Sequence, residues 1–269
     1  MDLITVDRDK CLRCGICVET CPAYILDMTP EGPHCHLDRG CMSCGHCVAV
    51  CPVGALSNKH CSLEEQKPIT GKVLDAETVY EFLRARRSIR TFKPQAPSEE
   101  EILKLLEVCR YVPSATNSQC IYYTVVRDKE KIHAVAEATI QWMETQIEAN
   151  APHKRYFKIA VDAYKQGGKD IICRNAPAMV FMYTKRLNTN GLFTSNFVSA
   201  YAQLYAPSLG LGTCITGYVQ AALVDGYQPL LDLLQLPPKH KYVGAFILGY
   251  PKYKFRRMPE RQHLKVDFI

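Results

Sequence analysis

No run of apolar residues in this 269-residue chain approaches the ~20 needed for a helix to cross a bilayer, so a membrane-spanning fold and a membrane partner are not expected. The opening MDLITVDRDK shows no basic segment followed by an apolar core, which points to a cytoplasmic chain without an export signal. Lys and Arg are scattered and form no basic stripe, which argues against nucleic-acid binding despite a formal net charge of +6. That charge is itself overstated wherever cysteines counted as neutral bind metal as thiolates. Cysteine is the residue the chain does have, fourteen times over. In a reducing compartment those thiols are available to metal and not committed to disulfides. The length suggests one small and one full-sized domain.

The cysteines are concentrated at the start. CLRCGICVETCP at 11–22 returns as CMSCGHCVAVCP at 41–52, and the flanks match as well, GICVETCPAYIL against GHCVAVCPVGAL. This is an internal duplication. Each copy places three cysteines as Cys-x-x-Cys-x-x-Cys and a fourth before a proline. Zinc also takes four thiolates, but zinc ribbons use two separated Cys-x-x-Cys pairs, not three cysteines in succession. The doubled motif resembles the bacterial two-cluster ferredoxins over about residues 1–60. The resemblance implies one 4Fe-4S cluster on Cys11, Cys14, Cys17 and Cys51, and a second on Cys41, Cys44, Cys47 and Cys21.

After the motifs the text changes. SLEEQKPITGKVL is polar and aperiodic and reads as a linker, which divides the chain into 1–62, a linker at 63–74, and 75–269. Asp75 sits where an N-cap belongs, ahead of a helix with Val79, Phe82 and Leu83 on one face. Ser98 with Glu101 forms a capping-box pattern before the stripe Ile102, Leu105, Leu106 and Cys109, so Cys109 reads as core and not as a ligand. IYYTVVR (121–127), AMVFMYT (178–184) and YVGAFILGY (242–250) have the β-branched and aromatic content of buried strands, giving a mixed α and β class.

Four separated segments remain: RRSIRTF (86–92), PSATNSQ (113–119), GLGTCITG (210–217) and GYPKYKFRRMP (249–259). The third begins like a dinucleotide fingerprint, but it follows a helix-like stretch instead of a strand and lacks the third glycine in register. Gly210 there also fits a helix C-terminus. Together the four segments resemble the nitroreductase family across roughly residues 75–260. The resemblance implies an α+β domain with a central, mainly antiparallel sheet flanked by helices, bound FMN, and a homodimer with flavin at the subunit interface. In that pattern Arg86, Arg87 and Ser88 serve the phosphate and ribityl end, and Arg90 lies beside the flavin pyrimidine. Pro113, Ser114, Ala115 and Asn117 reach the partner's flavin, and Ile215, Thr216 and the Gly217 N–H approach the reactive ring nitrogen. Arg256 and Arg257 stand where a second phosphate-binding pair belongs. The chain departs from many members after Gln119, with Cys120 and Ile121 in place of Pro-Trp.

The stretch 144–170 is polar and basic, carries Lys154, Arg155 and Lys158, and is a candidate cap over the active site. Clusters carry single electrons and a flavin converts between one- and two-electron transfer. The expectation is therefore an oxidoreductase taking electrons from a ferredoxin-like donor and delivering pairs to a small conjugated acceptor such as a nitroaromatic or quinone. No residue is assigned a catalytic role. The alternatives are an electron-transfer or redox-sensing module with a protein partner, and an NAD(P)H-dependent nitroreductase.

Overall fold

The structure is a computed structural model and describes residues 2–71 and 73–269; of the expected linker, Lys72 lies outside the described residues. The chain divides into two compact units. One runs to Val73 and includes Ala115–Ser118, and the other comprises Leu74–Ser114 and Gln119–Ile269.

The first unit repeats itself. Strand β1 (Ile4–Val6) is followed by α1 (Ile16–Glu19), β2 (Leu26–Thr29), β3 (Gly32–Cys35), α2 (His46–Ala49) and β4 (Leu56–Asn58). β1 pairs antiparallel with β4, and β2 with β3. The duplication extends to the backbone. Gly15 (φ 78°) and Gly45 (φ 71°) cap the two short helices in left-handed conformation, and Arg13 (φ 53°) and Ser43 (φ 52°) are left-handed at the same step of each motif. Only glycine enters that region without cost, so the loops are wound tightly at places where tightness has a use. The core is small: Leu3, Ile4, Ile25, Leu26, Val48 and Leu56 are buried with Cys21. Residues at the start of the expected linker fold onto this unit. Leu63 packs against the core and donates its N–H to Ser57 Oγ at 3.1 Å.

The second unit is larger and layered. Helices α3 (Ala76–Ala85) and α4 (Glu99–Val108) precede β5 (Tyr122–Val126), α5 (Lys129–Glu148), α6 (Lys154–Lys165) and β6 (Ala178–Lys185). Then come α7 (Gly191–Tyr205), β7 (Gly212–Ile215), α8 (Gly217–Val224), α9 (Gln228–Leu234) and β8 (His240–Gly249). The sheet order is β5-β6-β8-β7, and every pairing is antiparallel. β6 and β8 are buried on both faces because helices cover both. Met179, Phe181, Ala245 and Ile247 face the core made with α5, α6, α8 and α9, while the alternating Val180, Met182, Phe246 and Leu248 face α4 and α7. That is why those strands read as continuous apolar runs and not as an alternation.

The expected helix starts are present. Asp75 accepts from Thr78 N, and the Ser98–Glu101 capping box forms in both directions. Glu101 also accepts the Tyr250 hydroxyl at 2.7 Å, which ties α4 to the end of β8. Cys109 is buried, its thiol directed at the carbonyls of Leu105 and Val198, and burial pushes that thiol up to about 12. The α3 face, by contrast, is not covered: Phe82 and Leu83 are each about half exposed. No helix among the described residues is long and apolar enough to cross a membrane.

Candidate functional site

In the first unit the two motif copies close around two cavities. One is lined by Cys11, Cys14, Cys17 and Cys51, the other by Cys41, Cys44, Cys47 and Cys21. In each, three cysteines come from one loop and the fourth from the other copy, the exchange implied by the two-cluster ferredoxin pattern. The remaining walls are mostly apolar, with Val6, Ile16 and Leu56 around the first and Leu3, Ile4 and Ile25 around the second, but Arg13 lines the first and Asn58 the second. Burial, reinforced by the neighbouring Cys21 and Cys44, pushes the Cys47 thiol up to about 11. Thiolates gathered in such a place need a compensating cationic centre, and four cysteine sulfurs around one cavity are a donor set that fits a metal centre. Cys35 and Cys61 fall outside both sets. Burial also raises the Cys61 thiol, with Cys41 and Cys44 as its charged neighbours.

The second unit contains a cavity of about 470 Å³, lined by Arg90, Ile215, Thr216 and Gly217 together with Phe157 and Tyr218. Its floor follows from backbone geometry. The 88–92 segment lies along β7, with Ile89 N–H donating to Thr213 O at 3.0 Å, and a Cβ on Gly212 would come within 2.4 Å of Ile89 Cγ1. Glycine at 212 is what admits the Ile89 side chain and thereby sets Arg90 at the cavity. Gly210 ends the preceding 3-10 turn in left-handed conformation (φ 71°), so the two glycines of GLG serve packing and chain reversal.

Thr216 is the N-cap of α8, yet its hydroxyl makes no cap bond and is buried without a partner. A buried polar atom left alone beside a cavity suits a ligand that supplies the missing bond. Gly217 opens α8 with nothing within 4 Å of the position a Cβ would take, so a flat group has room against its backbone. These features fit a planar ring with hydrogen-bonding edges. The fit is to FMN's ring system in kind, with apolar Ile215 on the same strand end.

A second feature of this unit is a concentration of positive charge. Desolvation, together with the neighbouring cations Arg261, Arg86 and Arg84, lowers the Arg87 pKa. Of Arg84, Arg86, Arg87 and Arg261, only Arg84 pairs with a carboxylate among the described residues, Glu260 at 2.7 Å, while Arg86 donates to Gln203 at 2.8 Å. Arg87 binds the carbonyls of Arg84 and Arg86, and its Nε is buried and unpartnered. Such a group of guanidiniums is suited to a phosphate. The C-terminal contributor is Arg261; Arg256 and Arg257 have no hydrogen bond or ion pair among the described residues.

The 113–119 segment behaves differently from the rest of the expected set. Pro113, Ser114, Ala115 and Asn117 do not line the 470 Å³ cavity. Ser114 Oγ accepts from Gln119 N at 3.1 Å, and Thr116, Asn117 and Gln119 are all left-handed. Within the first unit, the Asn117 amide donates to the carbonyls of Met42 (3.2 Å) and Ser43 (2.9 Å), in the loop of the second motif copy. Ser88 makes no side-chain hydrogen bond among the described residues. Cys120 is buried core, 3.7 Å from Thr194 Oγ1.

Several cavity residues carry no sequence signal. His153, Tyr156 and Phe157 arrive on α6, whose buried side (Phe157, Ala160, Val161) docks on α5 through an edge contact between Phe157 and Trp142 at 5.3 Å. The 144–170 stretch therefore does reach the cavity, but through His153 and Tyr156, while Lys154, Arg155 and Lys158 stay exposed. Arg174 enters from a loop wound by Asp170, whose carboxylate accepts from the N–H groups of Ile172, Cys173 and Asn175; that holds Arg174 left-handed at φ 58°. The Asp170 turn is a recognisable local pattern. Its aim toward the cavity is visible only in three dimensions.

Known proteins align with both units. Residues 10–55 match the 4Fe-4S dicluster domain, and residues 83–250 match the nitroreductase family. An Archaeoglobus fulgidus protein with a provisional NADH dehydrogenase/NAD(P)H nitroreductase name is 26% identical over 176 residues, 65% of this chain and 87% of that protein. A Bacillus subtilis FMN reductase [NAD(P)H] is 24% identical, over 67% of this chain and 69% of that one. Among solved structures, an FMN-bound nitroreductase from Desulfitobacterium hafniense superposes with a TM-score of 0.57 at 20% identity, over 73% of this chain and all of the other. One from Bacteroides fragilis, also with bound FMN, gives 0.56 at 20% identity over 71% and 96%. At that identity the likeness is one of fold. With more than half its length matched by the family, the chain belongs to the nitroreductase family and carries a 4Fe-4S dicluster domain ahead of that fold.

Proposed function

We propose that the protein is an FMN- and iron-sulfur-dependent oxidoreductase of the reducing cytoplasm, drawing electrons from a ferredoxin-like carrier and reducing a small conjugated acceptor. The observation that carries this reading is the presence, in one chain, of two four-cysteine cavities and a separate cavity with an orphaned Thr216 hydroxyl, an open Gly217 backbone and Arg90. When bound, the clusters supply one-electron carriage and FMN the conversion to two-electron transfer.

The chain's own residues bind and orient. Arg86, Arg87 and Arg261 offer guanidinium donors to a phosphate, and Arg84 is balanced by Glu260. Arg90 places a positive charge at the cavity, where it favours an electron-rich, anionic state of a bound ring. Thr216 donates or accepts at a ring edge, and Gly217, the first residue of α8, lines the same cavity. Phe157, Tyr218 and Ile215 exclude water and supply an apolar wall for a flat acceptor.

A homodimer accompanies this reading. Phe193, Phe197 and Tyr201 recur every four residues on α7 and are 68%, 47% and 36% exposed, an apolar stripe of the kind that a second copy covers. Phe197→Glu is expected to yield monomers in sedimentation and to lower flavin content. Dimers that persist with full flavin would remove α7 from the interface.

The deciding assay is iron, sulfide and FMN per chain in anaerobically purified protein, followed by stopped-flow reduction with ferredoxin and with NADPH. Full loading with faster reduction by ferredoxin supports the proposal. Iron without FMN overturns it. Equal or faster reduction by NADPH favours an NAD(P)H-dependent enzyme, the donor specified in the name of the Bacillus subtilis relative. Reoxidation of the reduced protein by nitroaromatics and quinones then tests the acceptor class, and the absence of turnover with any small acceptor favours a module serving a protein partner.

A further inference from the structure

The two cluster cavities are related by the thirty-residue duplication, so each wall position has a counterpart in the other. At most positions the counterparts agree in kind, as with Leu26 and Leu56 or Gly15 and Gly45. Met28 and Asn58 do not. Each lines its own cavity, Met28 with Cys11, Cys14, Cys17 and Cys51, and Asn58 with Cys21, Cys41, Cys44 and Cys47. Met28 is 38% exposed and its side chain has no N–H to give, whereas Asn58 is 4% exposed and polar.

The Asn58 amide is held in one orientation. Its Oδ1 accepts the His60 N–H at 2.9 Å, which leaves the NH2 group on the other side, and Nδ2 lies 3.7 Å from Cys41 Sγ. The backbone beneath is fixed as well: Asn58 pairs with Ile4 across β1 and β4, and its carbonyl accepts Cys61 N–H at 3.1 Å. The assignment of amide oxygen and nitrogen thus follows from the backbone donor. Backbone donors to ligand sulfur are shared between the sets: Ser43 N–H lies 3.4 Å from Cys41 Sγ, and Ala55 N–H lies 3.2 Å from Cys51 Sγ. Among the described residues the side-chain donor is present in one set only.

We infer that Asn58 is a tuning residue that makes the two clusters unequal, raising the reduction potential of the one held by Cys41 above that of the one held by Cys11. One added electron spreads over iron and the ligand sulfurs, and an N–H dipole aimed at a sulfur stabilises the reduced state more than the oxidised one. Burial strengthens the effect by removing competing water. Met28 offers no such donor at the equivalent place. An electron delivered to either cluster therefore settles on the Cys41 side. This inference rests on the cluster reading above and is independent of flavin.

The test is a mediated redox titration of the full chain followed by electron paramagnetic resonance, on wild type, Asn58→Leu and Met28→Asn. Iron and sulfide are measured for each. Two separate reduction waves are expected in wild type. Asn58→Leu moves the higher wave down and leaves the other in place, with iron and sulfide unchanged, and it shifts a terminal Fe–S stretching band in resonance Raman spectra. Met28→Asn moves the lower wave up. A purely structural role for Asn58 would cost iron without moving the potential of the clusters that remain. Fully loaded Asn58→Leu protein with both waves unmoved, or with both displaced equally, overturns the inference. Should Asn58→Leu lose its iron, Met28→Asn decides: an upward shift of one wave supports the tuning role, and no shift overturns it. Wild-type protein devoid of iron would overturn the cluster reading itself.

Discussion

The two units solve the problem of cohesion in different ways. The first buries a handful of aliphatic side chains around Leu3, Ile4, Ile25, Leu26, Val48 and Leu56, and its interior is otherwise cysteine facing cavities. The second buries strands on both faces, with Phe181, Phe246, Met179 and Leu248 almost completely enclosed between two helix layers. A core as small as the first does not hold tightly wound loops by itself, so its metal centres are part of the folding free energy. The second coheres on apolar burial, and its 470 Å³ cavity is not needed to hold it together. The lesson is that the same loss, removal of a bound group, should dismantle one unit and merely empty the other.

The most severe way to break that contrast is to remove a cluster ligand. Cys47→Ser is expected to abolish one cluster and release α2 and β4, seen as a loss of iron and sulfide and as rapid hydrogen exchange through residues 41–58. Amides that stay protected without iron would show that the aliphatic core suffices. The counterpart in the second unit is Phe181→Ala, which should cost about 3–5 kcal/mol in urea unfolding of that unit with iron content unchanged. Next comes Gly212→Val, which drives a side chain into Ile89 and displaces Arg90. FMN affinity should fall by at least about tenfold, roughly 1.4 kcal/mol, with far-ultraviolet circular dichroism retained. Unchanged affinity would detach the 88–92 segment from flavin binding.

The smallest expected effects lie at the α4 cap. Ser98→Ala removes the capping oxygen and should cost about 1 kcal/mol in urea unfolding. Here the capping box also carries a pH dependence. The Tyr250 hydroxyl, followed by the bonds from Ser98, holds the Glu101 carboxyl below its ordinary value. A carboxyl whose folded pKa is depressed stabilises the fold above its unfolded pKa and loses that contribution as pH falls through the lowered folded value. Tyr250→Phe should therefore be less stable than wild type near neutrality and converge with it in acid. A difference that persists at low pH would mean that the hydroxyl acts other than through Glu101.

Much of the candidate site was readable in one dimension because covalent spacing enforces it. Three cysteines with two residues between neighbours must share a loop, and the resemblance to two-cluster ferredoxins implies that the fourth, before proline, serves the other set. The capping box and the starts of α3 and α4 are local for the same reason. The exposed face of α3 was not readable: periodicity shows which side chains align, and not whether anything in the same chain covers Phe82 and Leu83. Arg261 escaped notice because proximity to Arg87 is created by an irregular C-terminal segment with no period to follow. Arg174, His153 and Tyr156 escaped because they reach the cavity from a loop and a helix whose common target lies far away in the chain.

By itself, then, the sequence determined the spacing of the cysteines within each motif, the duplication, the helix caps and the three longest strands of the sheet, all of them set by interactions within a few residues, by repetition or by hydrophobic period. The exchange of the fourth cysteine between copies came from the resemblance to two-cluster ferredoxins. Tertiary structure alone decided which arginine joins Arg87, where Asn117 directs its amide, and which of two equivalent cavities receives the Asn58 N–H. Those are contacts across long stretches of chain. Their geometry depends on how whole elements pack, and no local rule of spacing or propensity contains it.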